Sequence, residues 1–209
     1  MGEKKSKKKR KSQEKILYWS IALVVSVIIL FFAAYKFYSR QPDYPKITYN
    51  NWEFTKMADT WWFEWQKGDK LYTVPLRFNP YEAKEVPLKG NLDNELFNAE
   101  NYVYITFDLS NETSQDLSML ALAATELTQN MATAIERTPL AACVNNQNHA
   151  CEKKPVKTCA NTDEPVIHLK EGGETSITLN RNCIIVEGEG FELVKAVDRL
   201  LYQWYGIMG

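Results

Sequence analysis

Four cysteines, Cys143, Cys151, Cys159 and Cys183, carry the clearest chemical signal in the chain. An even count in an oxidising compartment reads as two cystines. Four cysteines allow three pairings, and spacing leaves all three open. The pairing we expect is Cys143–Cys151, closing a small loop, with Cys159–Cys183 tying that loop region to a core strand. Zinc is the rival chemistry, because Cys143, His149, Cys151 and Cys159 offer four ligands. Their spacing, C-x5-H-x-C-x7-C, lacks the usual C-x2–4-C knuckle, and thiols outside a membrane tend to oxidise. A count of free thiols after denaturation separates the two.

Other reactive groups are not arranged for a recognisable reaction. A Ser-His-acid set would have to use His149 or His168, yet neither G-x-S-x-G nor H-E-x-x-H occurs, and C-x-x-C is also missing. Glu187, Glu189 and Asp198 could serve acid–base work, as pairs in any acidic chain could. Gly188-Glu189-Gly190 follows a strand and opens a helix, but it lacks the third glycine and the lysine of a phosphate loop, and its acids would repel phosphate. No catalytic residue, metal or cofactor is expected. Trp61, Trp62 and Trp65 in TWWFEWQ are candidate contacts for a sugar or a protein, since such rings present large rigid surfaces. Strand alternation puts Trp61, Phe63 and Trp65 on one face, so burial of that face in a core is the competing expectation. Asn111-Glu112-Thr113 is the one N-x-[ST] sequon, making Asn111 a candidate glycosylation site.

These groups are positioned by a chain organised around Ile16–Tyr35, twenty consecutive uncharged residues. At about 1.5 Å per residue a helix of that length spans about 30 Å, a bilayer's hydrocarbon thickness. We expect a transmembrane helix over 16–38, holding the chain in the lipid bilayer. Residues 1–15, a basic tail with eight Lys or Arg and two Glu, should stay cytoplasmic, placing residues 39–209 outside the cytoplasm. The apolar run is longer than the usual 7–15 residues of a signal peptide and has no clean A-x-A site, so an uncleaved signal anchor is expected. MGEKKS also fits the short myristoylation pattern, which a helical anchor makes redundant.

Charge is split across this boundary. Residues 41–209 carry 15 bases against 24 acids, a formal net charge of −9, so nucleic acid binding is not expected there. Residues 39–46, with Pro42 and Pro45, read as a stalk. Residues 47–98 form an aromatic-rich β region, in which TWWFEWQ and LYTVPLRF pair around Gly68-Asp69. Pro75 confines the second of these to an edge or a bulge. Residues 99–209 read as an α+β domain. YVYITFDL alternates as a half-buried strand. Thr113 and Asp116 fit a capping box that opens an apolar-striped helix over Ser114–Arg137, stopped by Pro139. A cysteine-rich loop follows over 141–164, then three strands in PVIHLKE, ETSITL and NCIIVEG. The last helix, Phe191–Tyr205, buries Leu193, Val194, Val197, Leu200, Leu201 and Trp204 and sets Asp198 on the opposite, polar side.

Leu71–Gly90 (LYTVPLRFNPYEAKEVPLKG) and Asn182–Ile207 (NCIIVEGEGFELVKAVDRLLYQWYGI) resemble stretches of single-span surface proteins from archaea, a group to which no activity is assigned. The resemblance covers about a quarter of the chain and implies an envelope location. The expected fold is α+β: one N-terminal transmembrane helix, then a small mixed β-sheet covered by two amphipathic helices, with an aromatic-rich β-hairpin as an added layer. The expected role is a membrane-anchored, extracytoplasmic structural or interaction module without catalytic activity. Its partner would be an envelope protein or surface polymer. The alternatives are a surface carbohydrate- or polymer-binding protein using its aromatics, and an envelope hydrolase or thiol-active enzyme.

Overall fold

The lysine-rich tail and the apolar stretch form one helix, α1, Glu3–Tyr38. Its part from Tyr18 to Tyr38, 21 residues with mean hydropathy 2.3 and none buried, is long and apolar enough to cross a bilayer. That length and composition suit a membrane anchor or a signal sequence. The computed structural model describes residues 3–38, 43–92, 94–107, 109 and 114–209. Asn111, the first half of the stalk (39–42) and Thr113 of the expected capping box lie outside the described residues.

Residues 44–209 form a separate compact unit whose helices are packed between two sheets. The first sheet is an antiparallel meander of β1 (Lys46–Tyr49), β2 (Trp52–Met57), β3 (Thr60–Lys67) and β4 (Lys70–Leu76), paired in chain order. Asn50 and Asn51 both take positive φ (46° and 67°), the backbone a two-residue type I′ turn demands. Gly68 does the same at the first turn position between β3 and β4 (φ 57°). The expected hairpin is therefore present, extended by two strands in front of it. Pro75 sits on β4, an edge strand, where its missing N–H costs no ladder bond.

After β4, Asn79 caps the short helix α2 (Pro80–Ala83), with Glu82 closing the capping box. Next come β5 (Leu88–Lys89), the short helix α3 (Glu95–Asn98) and β6 (Tyr102–Phe107). Val103 and Ile105 of β6 are buried as its alternation requires. Helix α4, Ser114–Asn130, is continued by one π-helical turn, Met131–Ile135, which ends at Glu136 in the left-handed region (φ 59°). The cysteine-rich segment is shorter than the sequence suggests. Its start belongs to strand β7, Thr138–Cys143, paired in parallel with β6. TPLAAC hid that strand, since small residues and Pro139 are weak strand formers; β7 is the sheet's edge, where proline is tolerated.

The expected first two strands of the carboxy-terminal part are a single element, β8 (Val166–Asn180), bent at Gly172 and Gly173, both with positive φ (89° and 76°). Strand β9, Cys183–Gly188, lies between its two arms. It runs parallel to residues 166–171 and, with Ser176 opposite Glu187 and Asn180 opposite Cys183, antiparallel to residues 176–180. The first arm also pairs with β6 and the second with β5, so the sheet is mixed. Its continuous apolar run suggested burial on both faces; Ile184 and Val186 on one face are fully buried, while on the other Cys183 is 1 % exposed and Ile185 is half-buried.

Helix α5, Phe191–Trp204, is the centre of the unit. It touches β8 and β9 on one side, while Tyr202 packs on Phe54 and Phe63 of the meander on another. Gly188 lets this helix approach β9 closely: a Cβ there would lie 2.7 Å from the Leu193 amide nitrogen and 2.9 Å from the Glu192 carbonyl carbon. Backbone cannot yield as a side-chain tip can. Gly188→Ala is expected to cost about 1–3 kcal/mol, read as a fall in Tm of about 2–4 °C per kcal/mol. An unchanged Tm would mean that α5 can slide on the sheet.

Candidate functional site

Asp198 stands on α5 in register with Val194 and Tyr202, four residues to either side, and is fully buried. The sequence placed it on a polar, solvent-facing side. That expectation fails because the meander covers this side of α5 too, leaving the helix buried almost all round. Asp198 Oδ2 accepts the backbone N–H groups of Arg77 (3.0 Å) and Phe78 (2.8 Å), just past β4. One turn later, Tyr202 Oη donates to the Phe78 carbonyl at 2.7 Å. Helix α5 thus holds both polar sides of the chain where it leaves the meander.

Glu126 on α4 meets the same junction. Its Oε1 accepts the Arg77 N–H at 3.2 Å, and its Oε2 lies 3.4 Å from Arg77 Nε. Asp198 Oδ1 is buried without a hydrogen-bond partner and neighbours Glu126, so a proton on either carboxyl would join the two. Burial pushes the Asp198 carboxyl well above the usual range, and the neighbouring Glu126 charge adds to this against the two amide bonds. Burial also raises Glu126, opposed by its bond to Asp198 and by the Arg77 charge. Two like charges at hydrogen-bond distance cannot both persist cheaply, so the pair shares one proton. Asn130, one turn beyond Glu126, donates to the Glu126 carbonyl (2.7 Å) and accepts from Tyr205 Oη.

The pair is not sealed off. Glu126 and Arg77 lie in a groove of about 580 Å³ between β4 and α4, walled by Tyr72, Thr73, Val74 and Pro75 on the strand and by Leu122, Thr125, Gln129 and Thr133 on the helical side. Asp198 lies behind Glu126, beyond the groove's lining. Chemically, the arrangement can hold a proton, receive a cation at Glu126 and offer hydrogen bonds along both walls.

The residues singled out in the sequence fall elsewhere. Cys143 pairs with Cys151 and Cys159 with Cys183, with Cα atoms 6.0 Å and 5.4 Å apart. Three of the four zinc candidates are thereby joined in cystines, and the fourth, His149, is an exposed residue whose Nδ1 is 2.9 Å from Glu152. The cystine region is further fixed by Lys157 paired with Glu164, by Lys157 over the Tyr104 ring (4.9 Å) and by Tyr102 Oη donating to Glu164 (2.9 Å). That last bond pushes the Tyr102 phenol up to about 12. His168 is half-buried in β8, Glu187 pairs with Lys170 at 2.5 Å, and Glu189 is exposed.

The three tryptophans do not make one platform. Trp61 is 8 % exposed and belongs to the core, while Trp65 packs on Tyr72 and Tyr205 and donates its indole N–H to the Tyr205 carbonyl at 3.2 Å. Trp62 alone points to the outer face of the meander, in a depression of about 470 Å³ with Thr55, Glu64 and Thr73. Sequence reasoning missed Glu126 and Arg77 altogether. The available signal was an acid inside each apolar stripe: Asp198 between Val194 and Leu201, and Glu126 between Ala123 and Leu127.

No protein-family model, curated protein or solved structure matches the chain.

Proposed function

We propose that the protein is a membrane-anchored module of the cell envelope that works by contact with another envelope component, of the same kind as the single-span surface proteins it resembles. In this reading α1 is an uncleaved anchor, the lysine-rich tail lies in the cytoplasm and residues 44–209 lie outside. The observation that carries it is the conjunction of an apolar helix with a unit whose four cysteines are all at disulfide geometry. Cystines persist in oxidising compartments and are rare in the cytosol, and a flank with eight basic residues is retained inside.

The contact reading draws on the groove between β4 and α4, which Glu126 and Arg77 line beside the unpaired edge of β4. A polymer contact would rest on Trp62 alone, since Trp61 and Trp65 are committed to the core. The test is protease treatment of intact cells followed by in-cell crosslinking of the full-length chain. Loss of the carboxy-terminal unit with retention of the tail, plus a crosslinked envelope partner, is the expected result. Protection of the carboxyl end would overturn the topology. A purified chain that turns over a substrate, with no crosslinked species, would overturn the contact role.

A further inference from the structure

We propose that the groove between β4 and α4 receives an extended peptide of a partner protein, which adds as a fifth strand to β4 and sets a lysine or arginine side chain on Glu126. This rests on the contact reading above and names the partner's chemistry. β4 ends the meander, and among the described residues no backbone hydrogen bond reaches its outer edge. Lys67 and Lys70 close the two-residue turn, so ladder pairs recur at Trp65–Tyr72, Phe63–Val74 and Trp61–Leu76. Leu71, Thr73 and Pro75 therefore turn their backbones outward. Pro75 offers a carbonyl without an N–H, so an incoming strand is registered by Leu71 and Thr73.

The two walls match in length. From Tyr72 to Arg77 the strand covers about 17 Å, and from Leu122 to Thr133 the helical wall covers about the same. That span suits about five extended residues. Strand addition at a sheet edge beside a helix is an established way to hold a peptide, with main-chain bonds giving affinity and side-chain pockets giving specificity.

Charge selects the side chain. Glu126 faces one guanidinium, Arg77, whose Nε lies 3.4 Å away, and Asp198 stands behind it on the Arg77 and Phe78 amides. A second cation on Glu126 would allow the pair to release its shared proton to solvent. The acidic balance of residues 41–209, formally −9, steers a basic segment towards this face from a distance. A neutral or acidic strand would gain the main-chain bonds but would cover Glu126 with Arg77, at 3.4 Å, as its one cation in the groove lining.

The experiment uses the full-length chain in neutral-lipid nanodiscs and four pools of acetylated pentapeptide amides. The central residue is fixed as Lys, Arg, norleucine or Glu, and the other positions are randomised over uncharged residues. The Lys and Arg pools should be retained at least tenfold over the norleucine and Glu pools. N-methylation of alternate peptide amides should abolish retention, and Glu126→Gln should erase the preference for Lys and Arg. Equal retention of the norleucine pool, or retention that survives N-methylation, overturns the proposal without using any variant of the protein. So does self-association through β4, seen as crosslinks between Thr73→Cys copies. If the peptides fail while in-cell crosslinking still captures an envelope partner, the groove is excluded and the contact reading stands. If both fail, the contact reading falls as well.

Discussion

Asp198→Ala is expected to destabilise the 44–209 unit by about 3–5 kcal/mol. The change leaves the Phe78 amide without its acceptor inside a dry core and the Arg77 amide with only its longer bond to Glu126 Oε1 (3.2 Å). An orphaned buried donor costs about 1–3 kcal/mol on top of the cavity left by the lost carboxyl. It also strips Glu126 of its hydrogen-bond partner. Asp198→Asn should behave differently. An asparagine oxygen can accept the same two amides, while its amide N–H can donate to Glu126 as the shared proton now does.

The two variants make the pH dependence decisive. Both carboxyls of the pair have raised folded-state values, so the folded chain binds a proton more tightly than the unfolded one. The stability this adds is fully present below the ordinary carboxylate range and is lost as pH rises through the raised folded value. One retained proton gives a slope of at most about 1.4 kcal/mol per pH unit within that window. Chemical denaturation followed by tryptophan fluorescence at several pH values should show this decline in the native chain and its flattening in Asp198→Asn. Glu164 and Glu136 act in the opposite sense. Their values are lowered by Lys157 and Lys67 respectively, so what they contribute is lost as pH falls. A native chain without a decline above the carboxylate range, or an alanine variant as stable as the asparagine one, would remove the pair from its place at the centre of the unit.

Removal of the Cys159–Cys183 cystine is the second large loss. The bridge spans 24 positions and Cys143–Cys151 spans 8. On the chain-entropy relation the longer loop is worth about 3.5 kcal/mol and the shorter about 2.5. The difference should widen in practice, because Cys183 lies in β9 at the middle of the mixed sheet and is 1 % exposed. The Cys159→Ala/Cys183→Ala chain should therefore unfold more than 1 M earlier in urea, given a slope of about 2 kcal/mol/M. The Cys143→Ala/Cys151→Ala chain should shift less. The reverse order would mean that the segment carrying Cys159 folds independently of β9.

Local pattern made a good part of the molecule legible. The alternation of Tyr102–Phe107, the apolar stripe of α4 and the Gly68-Asp69 turn are properties of neighbours in sequence, and each produced the element expected. Pro75 signalled an edge strand for a local reason, the absence of one donor. Strand β7 escaped because its pairing with β6 outweighs the weak propensity of TPLAAC. Asp198 was misplaced for a related reason. A helix wheel tells which side is apolar but cannot tell that a second sheet will cover the other side.

By itself, then, the sequence determined the apolar helix with its basic flank, the α+β character and the bounds of β3, β4, β6, β9 and α5 to within a residue or two, because these depend on residues within one or two turns of each other. Only the tertiary structure decided how the cysteines pair, that β9 enters between the arms of β8, and that Glu126 and Asp198 converge on Arg77. Those last contacts join residues 49 and 121 positions apart, and no periodicity reaches across such separations. The groove they floor exists because packing α4 and α5 between two sheets left the edge of β4 uncovered.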